Sequence, residues 1–83
     1  MELIELLALQ EGEKLTLNMI KSIDEIDRIE KNENKIWFTD NSAISWDGDT
    51  REGFVFIYDT IFGWANIYQT KRGKIESIEM QGI

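Results

Sequence analysis

The chain of 83 residues contains no cysteine and no histidine. Without cysteine it forms no disulfide bond and offers no thiolate to a metal ion. Without histidine it lacks the commonest metal ligand and the commonest general base of proteins. These two absences remove most zinc chemistry and every histidine-based catalytic triad, so we expect neither a metal ion nor any other cofactor.

A long apolar run is absent as well. The apolar N-terminal segment, MELIELLALQ, carries Glu2 and Glu5 where a secretory signal carries Lys or Arg, and it is too short to span a bilayer. The chain also lacks proline, low-complexity sequence and internal repeats that would mark a linker. We therefore expect a single domain over residues 1–83, located in the cytoplasm and without a membrane partner.

The charge is strongly negative. Acidic residues outnumber basic ones by 16 to 9, which gives a net charge of −7. Residues 1–33 carry nine acids and four bases, whereas residues 60–83 carry two acids and three bases. Such a surface opposes direct contact with nucleic acid or anionic membranes, because Lys and Arg supply most of that affinity. The charge instead predicts a basic protein as the partner.

The first 19 residues predict one helix and one strand. Leu3 and Leu7 lie on one side of a helix over residues 2–11, and Gly12 is a helix stop signal. Residues 15–19, LTLNM, alternate apolar and polar side chains, which is the period of a half-buried strand.

Residues 20–31 fit two descriptions. An isoleucine at every third position favours a helix, but Asp24 and Asp27 are poor helix formers. The polar segment KNEN that follows is typical of a turn leading into a strand. We predict an extended segment with a bend near residues 22–25, and a helix over residues 20–31 is the alternative.

The segment KIWFTDNSAISW, residues 35–46, predicts a β-hairpin. A two-residue turn at Asp40 and Asn41 pairs residues 35–39 with residues 42–46, because both side chains tolerate the positive φ of a type I′ turn. In that register Trp37 lies opposite Ile44.

The same register places Trp37 and Trp46 on one face of the sheet. The two tryptophans either pack in the core or act as interface anchors beside the acidic loop DGDTREG at residues 47–53. Both alternatives are compatible with the sequence.

The second half of the chain predicts three further strands. Aromatic and β-branched residues crowd the segments 54–59 and 64–70, and a turn at 70–74 with a left-handed Gly73 pairs the latter with 74–80. A helical stripe through residues 54–68 is the alternative. We predict an α+β fold with one short N-terminal helix packed on a twisted antiparallel sheet of five or six strands.

The sequence contains no complete motif for catalysis or metal binding. The segment from Asp47 begins like a calcium loop, but Arg51, Glu52 and Tyr58 occupy positions where that loop needs a ligand, a glycine and a glutamate. Paired carboxylates need a cleft that shifts one pKa, and 83 residues leave little room for one. We expect the protein not to be an enzyme.

The acids and the tryptophans together predict a protein-binding surface. Carboxylates steer a basic partner, and tryptophan is enriched where interfaces concentrate their binding energy. The residues assigned to this surface are Asp24, Glu25, Asp27, Glu30, Glu33, Trp37, Asp40, Trp46, Asp47, Asp49 and Glu52.

The function predicted from this surface is inhibition of a nucleic-acid-handling protein whose basic groove the carboxylates occupy in place of phosphates. In size and charge the chain is similar to the small acidic proteins with which phages block host nucleases or CRISPR effectors, and to immunity proteins that cap a toxin. The alternative is a structural or accessory subunit that self-assembles, for example as a homodimer, through an apolar face or a sheet edge.

Overall fold

The computed structural model describes all residues, Met1–Ile83, as two short helices followed by a six-stranded antiparallel sheet. Each strand pairs with its neighbour in the sequence, so the sheet is a meander with β1 and β6 at its edges. The prediction of an α+β fold is confirmed. The elements are α1 Leu3–Leu7, α2 Leu17–Lys21, β1 Ile26–Glu30, a 3-10 turn Lys31–Glu33, β2 Lys35–Phe38, β3 Ala43–Asp49, β4 Gly53–Asp59, β5 Trp64–Gln69 and β6 Ile75–Gln81.

The helices differ from the prediction in length and number. Helix α1 ends at Leu7 rather than near Glu11, and the strand predicted for residues 15–19 is wrong, because α2 begins there. Thr16 caps α2: its hydroxyl oxygen accepts the backbone N–H of Met19 at 3.2 Å. A Thr that satisfies a free N–H of the first turn outweighs a short alternating pattern.

The prediction of an extended segment over residues 20–31 is confirmed for residues 26–30, which form β1. Residues 22–25 form the bend that leads from α2 into β1, and only the first two residues of the segment belong to the helix. The strands predicted over 54–59, 64–70 and 74–80 are confirmed as β4, β5 and β6. Gly73 has a φ of 83°, the left-handed conformation predicted for the last hairpin turn.

The register predicted for the hairpin of β2 and β3 is wrong by one residue. Trp37 lies opposite Ala43, and Ile36 lies opposite Ile44. The loop has three residues instead of two, because the backbone N–H of Phe38 bonds to the carbonyl oxygen of Ser42 at 2.8 Å.

Asn41 is the last loop residue and adopts a left-handed φ of 69°. A type I turn followed by one left-handed residue is the usual three-residue hairpin loop. The added residue reverses which side chains of β3 share a face with those of β2. As a result Trp37 and Trp46, predicted on one face, lie on opposite faces of the sheet.

The core lies between the helices and one face of the sheet. Its 13 buried residues include Leu3 and Leu6 of α1, Ile20 of α2, and alternate residues of five strands, among them Ile44 and Phe56. Trp46 is half-buried and packs against this cluster. Both helices therefore cover the same face, and the opposite face of the sheet has no helix on it.

A substitution at Asn41 tests the loop geometry. A β-branched residue in the left-handed region costs about 1–2 kcal/mol, so we expect Asn41→Val to lower the free energy of unfolding by that amount. Asn41→Gly should be at least as stable as the wild type. Asn32, in the 3-10 turn, serves as the control, and Asn32→Val should change the stability little. Urea denaturation measures all three variants, and equal stability of Asn41→Val and Asn41→Gly would contradict the loop.

Candidate protein-binding surface

The sheet face that carries no helix is called the open face. Its members follow from the strand register, because residues opposite each other point to the same side. Trp37 lies opposite Ala43, which lies opposite Asp59, which lies opposite Trp64. The aromatic, large aliphatic or charged side chains of the open face on β2 to β6 are Lys35, Trp37, Asp47, Asp49, Val55, Ile57, Asp59, Trp64, Tyr68 and Glu79.

The apolar side chains of the open face form a central band. Val55, Ile57, Trp64 and Tyr68 lie on the adjacent strands β4 and β5, and all four are half-buried. Their partial burial comes from neighbours in the sheet, since the helices lie on the other side. An uncovered band of two aromatic and two aliphatic residues is an apolar surface on which a partner can pack.

Trp37, at one side of the open face, already contacts charged groups of its own chain. The guanidinium of Arg28 lies 4.8 Å from the ring centroid, and the ammonium of Lys35 lies 4.3 Å from it. The indole Nε1 donates a hydrogen bond of 2.9 Å to Glu30. These contacts fix the orientation of the ring, and they show that its face accepts cations.

The carboxylates of the open face differ in their ionic partners. Glu30 lies 3.6 Å from the Nε of Arg28. Asp47, Asp59 and Glu79 take part in no ion pair, because the four ion pairs of the chain involve other acids. From the register these three carboxylates are about 12 to 16 Å apart. They therefore leave the β3 to β6 part of the face with a negative charge that no cation of the chain neutralises by direct contact.

Tyr68 connects the apolar band to one of these carboxylates. A hydrogen bond with Glu79 on the neighbouring strand raises the pKa of the Tyr68 hydroxyl, so the tyrosine stays neutral at physiological pH.

Four predicted site residues lie at the end of the sheet where β1 begins, and each of them contacts a group of its own chain. The carboxylate of Glu25 accepts the backbone N–H of Leu3 at 3.1 and 3.2 Å and so caps α1. Asp40 accepts the N–H of Ser42 at 2.9 Å within the hairpin loop. Asp24 lies 4.0 Å from the N-terminal ammonium, and Asp27 lies 3.1 Å from Arg28.

The other predicted acids lie at the opposite end of the sheet. Glu33 in the 3-10 turn interacts with Glu30, and their hydrogen bond lowers the pKa of Glu30 and raises the pKa of Glu33. Asp49 accepts the N–H groups of Arg51 at 2.8 Å and Glu52 at 3.0 Å, and these bonds lower its pKa. Glu52 is exposed in the same turn.

The predicted site acids therefore do not form one cluster. Asp40 precedes β3 and Asp49 ends it, so about 20 Å separates them. Of the eleven predicted residues, the open face holds Glu30, Trp37, Asp47 and Asp49, while Trp46 packs against the core.

Sequence reasoning missed Asp59, Trp64, Tyr68 and Glu79. The signal was present in β5, WANIYQ, where Ala65 and Ile67 alternate with the three residues that face outward.

No helix of the structure is long and apolar enough to cross a membrane. No group of three or more side chains is arranged to hold a metal ion. Comparisons with protein families, with curated proteins and with solved structures found no match.

The role of Glu25 as a helix cap predicts an effect on stability. We expect Glu25→Ala to lower the free energy of unfolding by about 1 kcal/mol, because it leaves the N–H of Leu3 without its acceptor. Glu11→Ala, which removes an exposed acid from another turn, is the control and should stay within about 0.5 kcal/mol of the wild type. Equal stability of the two variants in urea denaturation would show that Glu25 is not a cap.

The lowered pKa of Asp49 predicts a pH dependence. Because the folded state favours the carboxylate, its contribution is present above the ordinary value of 3.8 and is lost as the pH falls through the folded pKa. We expect Asp49→Asn to be less stable than the wild type at pH 7, and we expect the difference to shrink below pH 4. Asp47→Asn is the control, since Asp47 accepts none of these backbone bonds. A difference that stays constant down to pH 2 would contradict the assignment.

Proposed function

We propose that this protein is a binding module that inhibits a basic, nucleic-acid-handling protein by covering its nucleic-acid-binding surface. The observation that carries the proposal is the open face, on which aromatic side chains and unpaired carboxylates share one uncovered sheet surface. A protein of this kind needs no cofactor and no catalytic residue, and it acts in the cytoplasm, where such partners handle nucleic acid.

The net charge of −7 supports a basic partner. Opposite charges raise the association rate over distances of about one Debye length, roughly 8 Å at physiological salt. Asp47 and Asp59 contribute to this attraction without first giving up an ion pair within the chain. The carboxylates therefore steer the partner towards the open face.

The aromatic residues support a short-range role. Trp64 and Tyr68 lie in the apolar band, and a partner that covers them removes aromatic surface from water. Trp37 holds two cations of its own chain, and an arginine or lysine of the partner can take the place of one of them. These rings slow dissociation, since interface mutations act mostly on the off-rate.

The spacing of the carboxylates bears on DNA mimicry. Each strand of B-DNA carries one phosphate per about 3.4 Å of helix axis, so its charge is much denser than that of Asp47, Asp59 and Glu79, which are about 12 to 16 Å apart. The open face thus substitutes for separated phosphates and adds apolar contact between them. Phage proteins that block host nucleases or CRISPR effectors, and immunity proteins, are the classes that this proposal favours.

Affinity capture tests the proposed partner class. The tagged protein is incubated with lysate of its source cells at 50 mM and at 500 mM salt, and the retained proteins are identified by mass spectrometry. We expect a basic nucleic-acid-binding protein that is retained at low salt and released at high salt. Capture of a neutral or acidic protein that salt does not release would contradict the proposal.

Once the captured protein is purified, two variants separate the contribution of the carboxylates to the association rate from that of the aromatic rings to the dissociation rate. Asp59→Lys should lower its association rate about threefold or more at low salt, whereas Glu11→Lys, with the same change in net charge outside the open face, should have a smaller effect. Trp64→Ala should weaken binding by about 2 kcal/mol, mainly through the dissociation rate. If Asp59→Lys and Glu11→Lys slow association equally, the open face is not the docking surface.

A further inference from the structure

The turn between β4 and β5 presents two large apolar side chains to solvent. These adjacent residues are Ile61, which is 86% exposed, and Phe62, which is 78% exposed. Leu7, Met80 and Ile83 are further exposed large apolar residues, and all of them line grooves next to this turn. These five residues are called the apolar end.

The turn that carries Ile61 and Phe62 is held in one conformation. The N–H of Thr60 donates to the carbonyl oxygen of Gly63 at 2.8 Å, and the Thr60 hydroxyl accepts the N–H groups of Phe62 at 3.0 Å and Gly63 at 3.1 Å. A side chain at Gly63 would collide with the carbonyl oxygen of Gln81, so the turn packs tightly against the end of β6. Binding through this turn therefore costs little backbone entropy.

A groove lies next to the protruding turn. Nine apolar residues, among them Leu7, Ile78 and Met80, enclose about 270 Å³ between α1 and the strands β5 and β6. A second groove of about 430 Å³ shares Leu7 and Ile83 with the first and is lined by Ile61 and Phe62 themselves. The same end of the molecule thus carries two protruding apolar side chains next to an apolar groove.

The charge around these grooves is low for a chain of this composition. Asp40 is the only charged side chain that lines either groove, and its carboxylate accepts hydrogen bonds from Ser42. Two copies of the chain can therefore meet at this end without bringing a dense set of like charges into contact.

The area of the apolar end approaches what a dimer needs. With roughly 200 Å² for a fully exposed large apolar residue, the exposed fractions of the five residues correspond to roughly 650 Å². Patches on monomeric proteins rarely exceed this size, and a standard interface buries roughly 800 Å² on each partner.

We propose that two copies of the chain form a two-fold symmetric dimer through the apolar end, with Phe62 of each copy in the groove between α1 and β6 of the other. An isologous interface requires one surface that is complementary to itself. The protruding Phe62 next to the groove meets that requirement. The open face stays free on both copies, so the dimer presents two partner-binding surfaces. The dimer does not depend on the proposed inhibitory function.

Sedimentation velocity of the full chain tests the dimer from 1 to 300 µM. We expect the mass to rise from the monomer value of 9.7 kDa towards twice that value, at 150 mM and equally at 500 mM NaCl. Phe62→Ser should raise the dimer dissociation constant at least tenfold. Ile29→Ser, which replaces an exposed apolar residue on the distant edge strand β1, should change it less than twofold.

Three outcomes would overturn the proposal. They are a monomer over the whole concentration range, a dimer that Phe62→Ser does not weaken, and a dimer that Ile29→Ser weakens as much as Phe62→Ser. Circular dichroism checks that each variant is folded, and Ile61→Ser replaces Phe62→Ser as the decisive variant if the latter is not.

Discussion

The left-handed residue Asn41 sets the register on which the surface chemistry of this protein depends. A three-residue loop pairs Ile36 with Ile44, so these residues face the helices, and Trp37 faces the other way. With a two-residue loop Trp37 would share one face of the sheet with Trp46. One backbone conformation therefore decides which aromatic residues reach solvent.

The second constraint is the small amount of helix. Two helices of five residues each cover one face of a six-stranded sheet, and the chain has no further element for the other face. The open face must then either expose its aromatic and aliphatic residues to solvent or bind a partner. The same shortage leaves the edge beyond α1 open, where Met80 and the turn at Ile61 and Phe62 remain exposed.

Sequence patterns predicted the α+β class and most strands, because crowded β-branched and aromatic residues mark β4 and β5. The patterns failed where a single side-chain hydrogen bond decides the local structure. The hydroxyl of Thr16 caps a helix that begins within residues 15–19, a segment whose alternating apolar and polar residues predicted a strand. The candidate site was only partly predictable. Glu25 and Asp49 are acids like Asp47, and only the fold shows that they bind backbone N–H groups.

We propose that a basic partner binds the open face of the sheet and not the face that α1 and α2 cover. The most direct test is a nuclear magnetic resonance titration of the 15N-labelled protein with the protein retained in low-salt capture. The account predicts shift changes at Val55, Ile57, Trp64 and Tyr68, with α1 and α2 unchanged. Shift changes confined to the helices would contradict it.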